Sequence, residues 1–321
     1  MTLARRLACW VAAGALAAPL RADDQTYGDY VYPRPGAFTW LTRCPGDFVD
    51  FGKNTFQVRN MPYFMLVGGS TAYLLSQDPY IVDQAHALGS RWGIEPADNQ
   101  KAVVSVPLPS SQFEIGVPYN KGSAFYFIGD GWTHLVLSAG FFTYGMARDN
   151  NRALQTSTEI LEGILTSGTV VQGLKHLTGR QDPYMATEPG GKWQWFPNQT
   201  QYAQHVPAYD AYPSGHLTAA TAVFTIVKQN YPEERWIAPA GYTLLGVLSF
   251  QMLNNGVHWA SDYPLAIALG YGFGKVAVAR GRRLATAEEK AAAGNKKSYD
   301  LHLYPGYVGD GTGLWVVWRW P

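Results

Sequence analysis

The chain has 321 residues, enough for one large domain or two small ones, and 47% of them are hydrophobic, so a sizeable core is within reach. Charged residues make up 15%, against about a quarter in a typical domain. The formal net charge of +1 excludes an electrostatic case for nucleic acid as a partner.

Residues 1–22 read as a secretory signal peptide. Arg5 and Arg6 form the charged start, Leu7 to Leu20 is an apolar run rich in Ala, and Ala22 precedes the expected cleavage point. The expected location is therefore exported, periplasmic or secreted. The alternative is an integral membrane protein, but this run is short for a span of about 20 residues. Cys9, with Arg6 three residues before it, does not look like a lipoprotein cysteine. After cleavage only Cys44 remains, so an intramolecular disulfide is excluded and stability rests on packing.

Residues 23–62 are rich in Gly, Pro, Tyr and Phe and read as a loop-rich N-terminal arm. The region 63–281 offers the apolar segments Tyr63–Leu75, Ala124–Met146, Leu154–Leu177, Leu217–Val227, Trp236–Leu253 and Tyr263–Val278. Their lengths and Ala/Leu/Gly content predict helices, and hence an all-α helical bundle. Further helical pattern runs from Ile81 to Trp92, and Pro107–Ser111 reads as a turn. Trp236–Leu253 has no charge and Tyr263–Val278 only Lys275, which raises a membrane question. Asp130, Glu159, Glu162 and Lys175 inside the other segments, with a mean hydropathy of −0.14, favour a soluble or peripherally bound domain. Residues 282–321 form a C-terminal tail, first a solvated Ala-rich stretch and then Gly313–Trp320, expected to fold back on the domain. The 11 Trp and 20 Tyr suit mixed surfaces, so association with a membrane surface is also expected.

Three stretches carry chemistry. Ser214 of Pro213-Ser214-Gly215-His216 can cap the helix that follows, and Gly215 lets an anion approach its backbone N–H groups. His216 then stands where it can pass a proton to a leaving oxygen. His258 and Asp262 are four residues apart across an expected loop–helix boundary near Pro264, where the carboxylate can fix the imidazole tautomer. Lys175 and Arg180 lie at the end of a long helix, as phosphate-binding cations or as residues matched to the helix dipole. Each stretch alone has a bland structural reading.

In order and spacing the three resemble the type 2 phosphatidic-acid phosphatase and vanadium haloperoxidase superfamily, whose motifs are K-x6-R-P, P-S-G-H and S-R-x5-H-x3-D. The first corresponds to Lys175 to Pro183, the second is complete at Pro213–His216, and the third corresponds to Gln251 to Asp262. The resemblance covers roughly residues 154–281 and implies an all-α bundle with the motif loops at one end. It implies His258 as the nucleophile that forms a phosphohistidine and Asp262 as its orienting carboxylate. His216 would be the proton carrier, and Lys175, Ser214 and Gly215 the phosphate-binding groups, with no metal or cofactor. Two family arginines are absent: Asp182 precedes Pro183, and Met252 stands six residues before His258. Asp182 beside a phosphate adds repulsion unless it turns away, and Arg180 is the candidate replacement clamp.

The insert Tyr184–Tyr212, with Trp193-Gln194-Trp195-Phe196, is expected over the site entrance. His86, His134, His176, His205 and His302 lack motif support and read as ordinary structural or surface histidines. The expected activity is hydrolysis of a phosphomonoester or pyrophosphate, with a small-molecule or lipid-linked phosphate as substrate. The alternatives are a catalytically degenerate binding or scaffold protein and, third, a vanadium-dependent haloperoxidase, which would want the same missing arginines.

Overall fold

The computed structural model describes residues 24–97, 100–108, 111–294, 300–308 and 311–319. The expected signal peptide, with Cys9, and Trp320 lie outside the described residues.

Helices dominate, as the apolar segments predict. In chain order they are α1 (Thr39–Thr42), α2 (Cys44–Thr55), α3 (Met61–Trp92), α4 (Lys121–Phe127), α5 (Gly131–Arg148) and α6 (Asn151–Thr178). After these come α7 (Gln199–Gln204), α8 (Gly215–Asn230), α9 (Ile237–Asn254), α10 (Tyr263–Gly281) and α11 (Ala287–Gly294). Among the described residues no helix is long and apolar enough to cross a membrane.

The core is a layer of α6, α8 and α10. Ile160, Val223, Ile226, Ala277 and Val278 form one buried cluster, and Leu217, Ala220, Leu248, Met252 and Ala266 another. Helices α8 and α10 approach so closely that a Cβ on Gly270 would lie 2.3 Å from the Thr218 carbonyl oxygen. Glycine is therefore required there, and the contact seats the end of the bundle that carries the motif loops. Caps set the helix starts: Asn150 accepts the Ala153 N–H at 2.8 Å, and Asp130 accepts the Trp132 N–H at 2.8 Å. The second cap explains why the single expected helix over Ala124–Met146 is two.

The N-terminal arm has more structure than its composition suggests. Strands β1 (Gln25–Tyr27) and β2 (Tyr30–Tyr32) pair antiparallel, and β5 (Arg283–Leu284) adds to the second edge of β2. Val31 and Tyr32 are buried, and α1 and α2 then lie against α6 and α10. Two hairpins lie in segments for which the sequence reading named no helix: β3 (Gln100–Leu108) with β4 (Ser111–Pro118), and β6 (Asp300–Val308) with β7 (Gly311–Arg319). The tail thus pairs with itself.

The arm packs over a group of buried acids on α6. Glu159 is fully buried beneath Gly281, where an added Cβ would fall on its Oε1. Burial raises its pKa to about 8, and its bond from Asn230 and the charges of Arg43 and Arg282 only partly oppose this. Burial and the neighbouring Asp47 push Glu162 up as well. These acids hold protons in the folded chain that the unfolded chain releases near pH ~4.3. Stability from this source is complete below that value and falls as pH rises, until Glu159 ionises near pH 8. Buried histidines work in the opposite sense, but only below about pH 6.5. The denaturation midpoint should therefore drop between about pH 6.5 and 8, by at most ~1.4 kcal/mol per pH unit per proton, and Glu159→Gln should flatten the slope. Urea titrations across that range check this; an unchanged slope in the variant would assign the effect elsewhere.

Candidate active site

The three motif stretches meet at one end of the α6–α8–α10 layer. Helix α6 ends at Gly179, whose φ of +52° and contact with the Gln194 carbonyl leave no room for a side chain. The chain then runs extended, with Arg180 bridged to Trp193 and to Asp210. The Ala211 N–H donates to the Arg180 carbonyl at 3.0 Å and the Ser214 N–H to the Asp262 carbonyl at 3.3 Å. Backbone bonds thus join all three motifs.

His258 is buried and its orientation is set. Its Nδ1 lies 2.7 Å from the Ala211 carbonyl oxygen and 3.6 Å from Asp262 Oδ2. A carbonyl only accepts, so Nδ1 carries the proton and Nε2 the lone pair. Asp262 Oδ2 accepts the Trp259 N–H at 2.7 Å, and Oδ1 accepts from Arg180 at 2.5 Å. His258 and Asp262 meet across a short 3-10 turn (Ala260–Asp262) ahead of α10, at the loop–helix boundary expected from Pro264.

His216 opens α8, with its ring 4.6 Å from that of Tyr126. Its pKa is lowered to about 3, first by burial and then by the charges of His258, Lys175 and His134. It is neutral at physiological pH. Sequence reasoning missed His134 as a neighbour: it is buried on α5, burial lowers its pKa to about 4, and its Nε2 has no hydrogen-bond partner among the described residues. The only signal was its position one turn after the capping Asp130.

Lys175 is buried and pairs with Asp210 at 3.1 Å. Its Nζ lies near the start of α8, 3.9 Å from where a Gly215 Cβ would be. That is ordinary contact, so space does not demand glycine at 215. Ser214 caps α8 by accepting the Leu217 N–H at 3.4 Å, and its hydroxyl donates to Met252 Sδ at 3.4 Å. Met252 is fully buried in the Leu217–Leu248–Ala266 cluster.

The structure corrects the reading of Arg180. It is fully buried, and all five of its N–H donors face protein acceptors. Nη1 donates to Ser261 Oγ at 2.6 Å and Asp262 Oδ1, Nη2 to Asp78 Oδ2 at 2.7 Å and the Gly190 carbonyl at 2.9 Å, and Nε to the same carbonyl at 3.4 Å. Trp193 and Trp259 lie 4.8 and 5.3 Å from the guanidinium carbon. No donor is left for a phosphate, so Arg180 is a positioning residue. Asp78, missed in the sequence, completes the group by accepting the Ser261 N–H at 3.0 Å. It is the first charged residue after Arg59 and directly precedes Pro79 inside a helix, a faint signal. The insert divides in two: Trp193 covers Arg180, whereas Trp195 and Phe196 are exposed. His176, ring-stacked on Tyr202 at 4.0 Å, is structural, as expected.

Asp182 is buried, and its Oδ1 has no hydrogen-bond partner among the described residues. Burial raises its pKa to about 9; Asp210 adds to this and Lys175 opposes it.

Residues 157–284 match the family model described as the PAP2 superfamily. This match is consistent with a PAP2/haloperoxidase-type member, and phosphatase-type chemistry is the general activity of that superfamily. No curated protein and no solved structure matches the chain.

Removing Arg180 would strand two buried carboxylates. Arg180→Ala should cost about 3–5 kcal/mol in chemical denaturation, whereas exposed Lys53→Ala should stay within about 0.5 kcal/mol. Arg282 would be a poor surface control, because it bonds the Tyr32 hydroxyl and the Gln229 carbonyl.

Proposed function

We propose that the chain is a metal-independent phosphoric ester hydrolase working through a phosphohistidine on His258. The observation that carries this reading is the Ala211 carbonyl on His258 Nδ1, with Asp262 behind it, which leaves Nε2 as the nucleophilic nitrogen. Nε2 attacks phosphorus, and the P–N bond forms as the P–O bond to the alcohol breaks. His216, neutral in the free chain, takes up a proton once the bound anion offsets the charge of Lys175, and gives it to the leaving oxygen. Water then attacks phosphorus, the P–N bond breaks, and the water's proton returns to His216. Lys175, the Ser214 hydroxyl and the Gly215 N–H hold the equatorial oxygens.

A lipid-linked phosphate is the favoured substrate. Residues 61–77 of α3 are uncharged, and Tyr63, Met65, Leu66 and Tyr73 are exposed on the same helix that delivers Asp78 to the site. Such a surface suits an acyl or isoprenoid chain or a membrane surface. The signal-like start of the chain supports an exported enzyme.

One observation favours a second reading, a binding protein that has lost catalysis. Met252 is in the core and Arg180 has no free donor, so neither lost clamp is replaced by an arginine. Phosphate release from soluble and lipid phosphates, by the chain from Asp23 onward, separates the two. The hydrolase reading expects release without added metal, a loss of at least about a thousandfold in His258→Ala, and a loss of about a hundred- to ten-thousandfold in His216→Ala. Release no greater than that of His258→Ala on every substrate selects the binding protein.

A further inference from the structure

Charges around the motif loops are already matched. Lys175 faces Asp210, and Arg180 faces both Asp78 and Asp262. With His216 neutral, this group holds no unpaired cation among the described residues, so each further negative charge on a ligand goes unopposed. Asp182 lies beside this group: its N–H donates to the Pro207 carbonyl at 3.0 Å, three residues before Asp210, and Asp210 and Lys175 act on its carboxyl. It is the only one of these acids with a buried carboxyl oxygen that has no hydrogen-bond partner among the described residues.

We propose that the cradle is built for a phosphate ester bearing a single negative charge, with the Asp182 carboxyl, as the acid, donating a hydrogen bond to a phosphoryl oxygen. Two ligands share that chemistry, a phosphodiester and the singly protonated form of a monoester. The inference rests on the reading of the motif loops as a phosphate site, but does not need turnover.

Two alternatives for Asp182 fit the surroundings less well. An ionised carboxylate would lie buried near two other acids, Asp210 and Asp262, with Lys175 already paired, and burial with Asp210 holds its pKa up to about 9. A neutral acid with no acceptor would leave a buried O–H unmatched, which is unfavourable. A phosphoryl oxygen is an acceptor of suitable strength and sign. A dianion, by contrast, would bring one charge more than a monoanion into a group whose cations are already paired. Even at an effective dielectric of about 20, one unmatched charge at contact distance is worth more than the ~1.4 kcal/mol that makes a tenfold difference.

The test is calorimetric titration of the chain with inorganic phosphate at about pH 5.5 and about pH 8, where the singly and doubly charged forms respectively dominate. Dimethyl phosphate, singly charged at both, corrects for titration of the protein itself. Wild type should bind phosphate at least tenfold more tightly at the lower pH after that correction. Asp182→Arg should reverse the preference, and Asp182→Ala should weaken the singly charged form about tenfold without gaining the dianion; melting curves confirm that both fold. Equal or tighter binding of the dianion by wild type would overturn the inference, and so would an unchanged preference in Asp182→Arg or failure of either form to bind. Turnover separates the two readings: phosphate release lost in His258→Ala sustains the hydrolase even if the charge preference fails. Given release, bis(p-nitrophenyl) against p-nitrophenyl phosphate distinguishes diester from monoester.

Discussion

The ion group of Arg180 with Asp78 and Asp262 is what the site depends on. One guanidinium ties α3, the Gly190 turn and the third motif together with all five donors. Through Asp262 it also fixes the Trp259 N–H, and so the loop that presents His258. A buried group of this kind is expensive to desolvate and adds little net stability, but it permits few arrangements. Asp262 cannot rotate toward solvent without leaving the guanidinium short of a partner, so the carboxylate behind His258 stays in place whether or not a ligand is bound.

The same economy of charge shapes what the site can hold. Each cation near the motif loops has an acidic partner, and burial keeps His216 and His134 neutral. Under the proposed phosphate-site reading, the motif loops offer an anion a single lysine, backbone N–H groups at the start of α8 and neutral donors in place of arginines. Such donors discriminate by geometry and by the charge they cannot neutralise, rather than by gross attraction.

Much of this was legible from the sequence. The Pro213–His216 and His258–Asp262 spacings located the helix start and the His–Asp pair, because those features depend on neighbours within four residues. Apolar segment lengths gave the bundle for the same reason. Arg180 was misjudged because its partners, Asp78 and Ser261, are distant in the chain, and sequence spacing shows a free cation where the fold supplies a matched one. Asp210 and His134 escaped notice on the same ground. The arm was underestimated because Val31 and Tyr32 are too few to give a period, although their burial against α6 organises it. The hairpin at 100–118 was missed because only its Pro/Ser turn stood out.

Met252 shows how a lost clamp alters more than charge. A buried thioether fills space among Leu217, Leu248 and Ala266, tightening the seat of α8 where an arginine would have required a polar path to the site. It also gives the Ser214 hydroxyl a resting partner 3.4 Å away. Sulfur is a weak acceptor, so that bond costs little to break when a phosphoryl oxygen arrives, and the hydroxyl rotates freely about its own bond. The substitution therefore removes a strong fixed donor and leaves a weak adjustable one in waiting. That is coherent with a cradle that holds one negative charge by several modest hydrogen bonds instead of two by bidentate arginines.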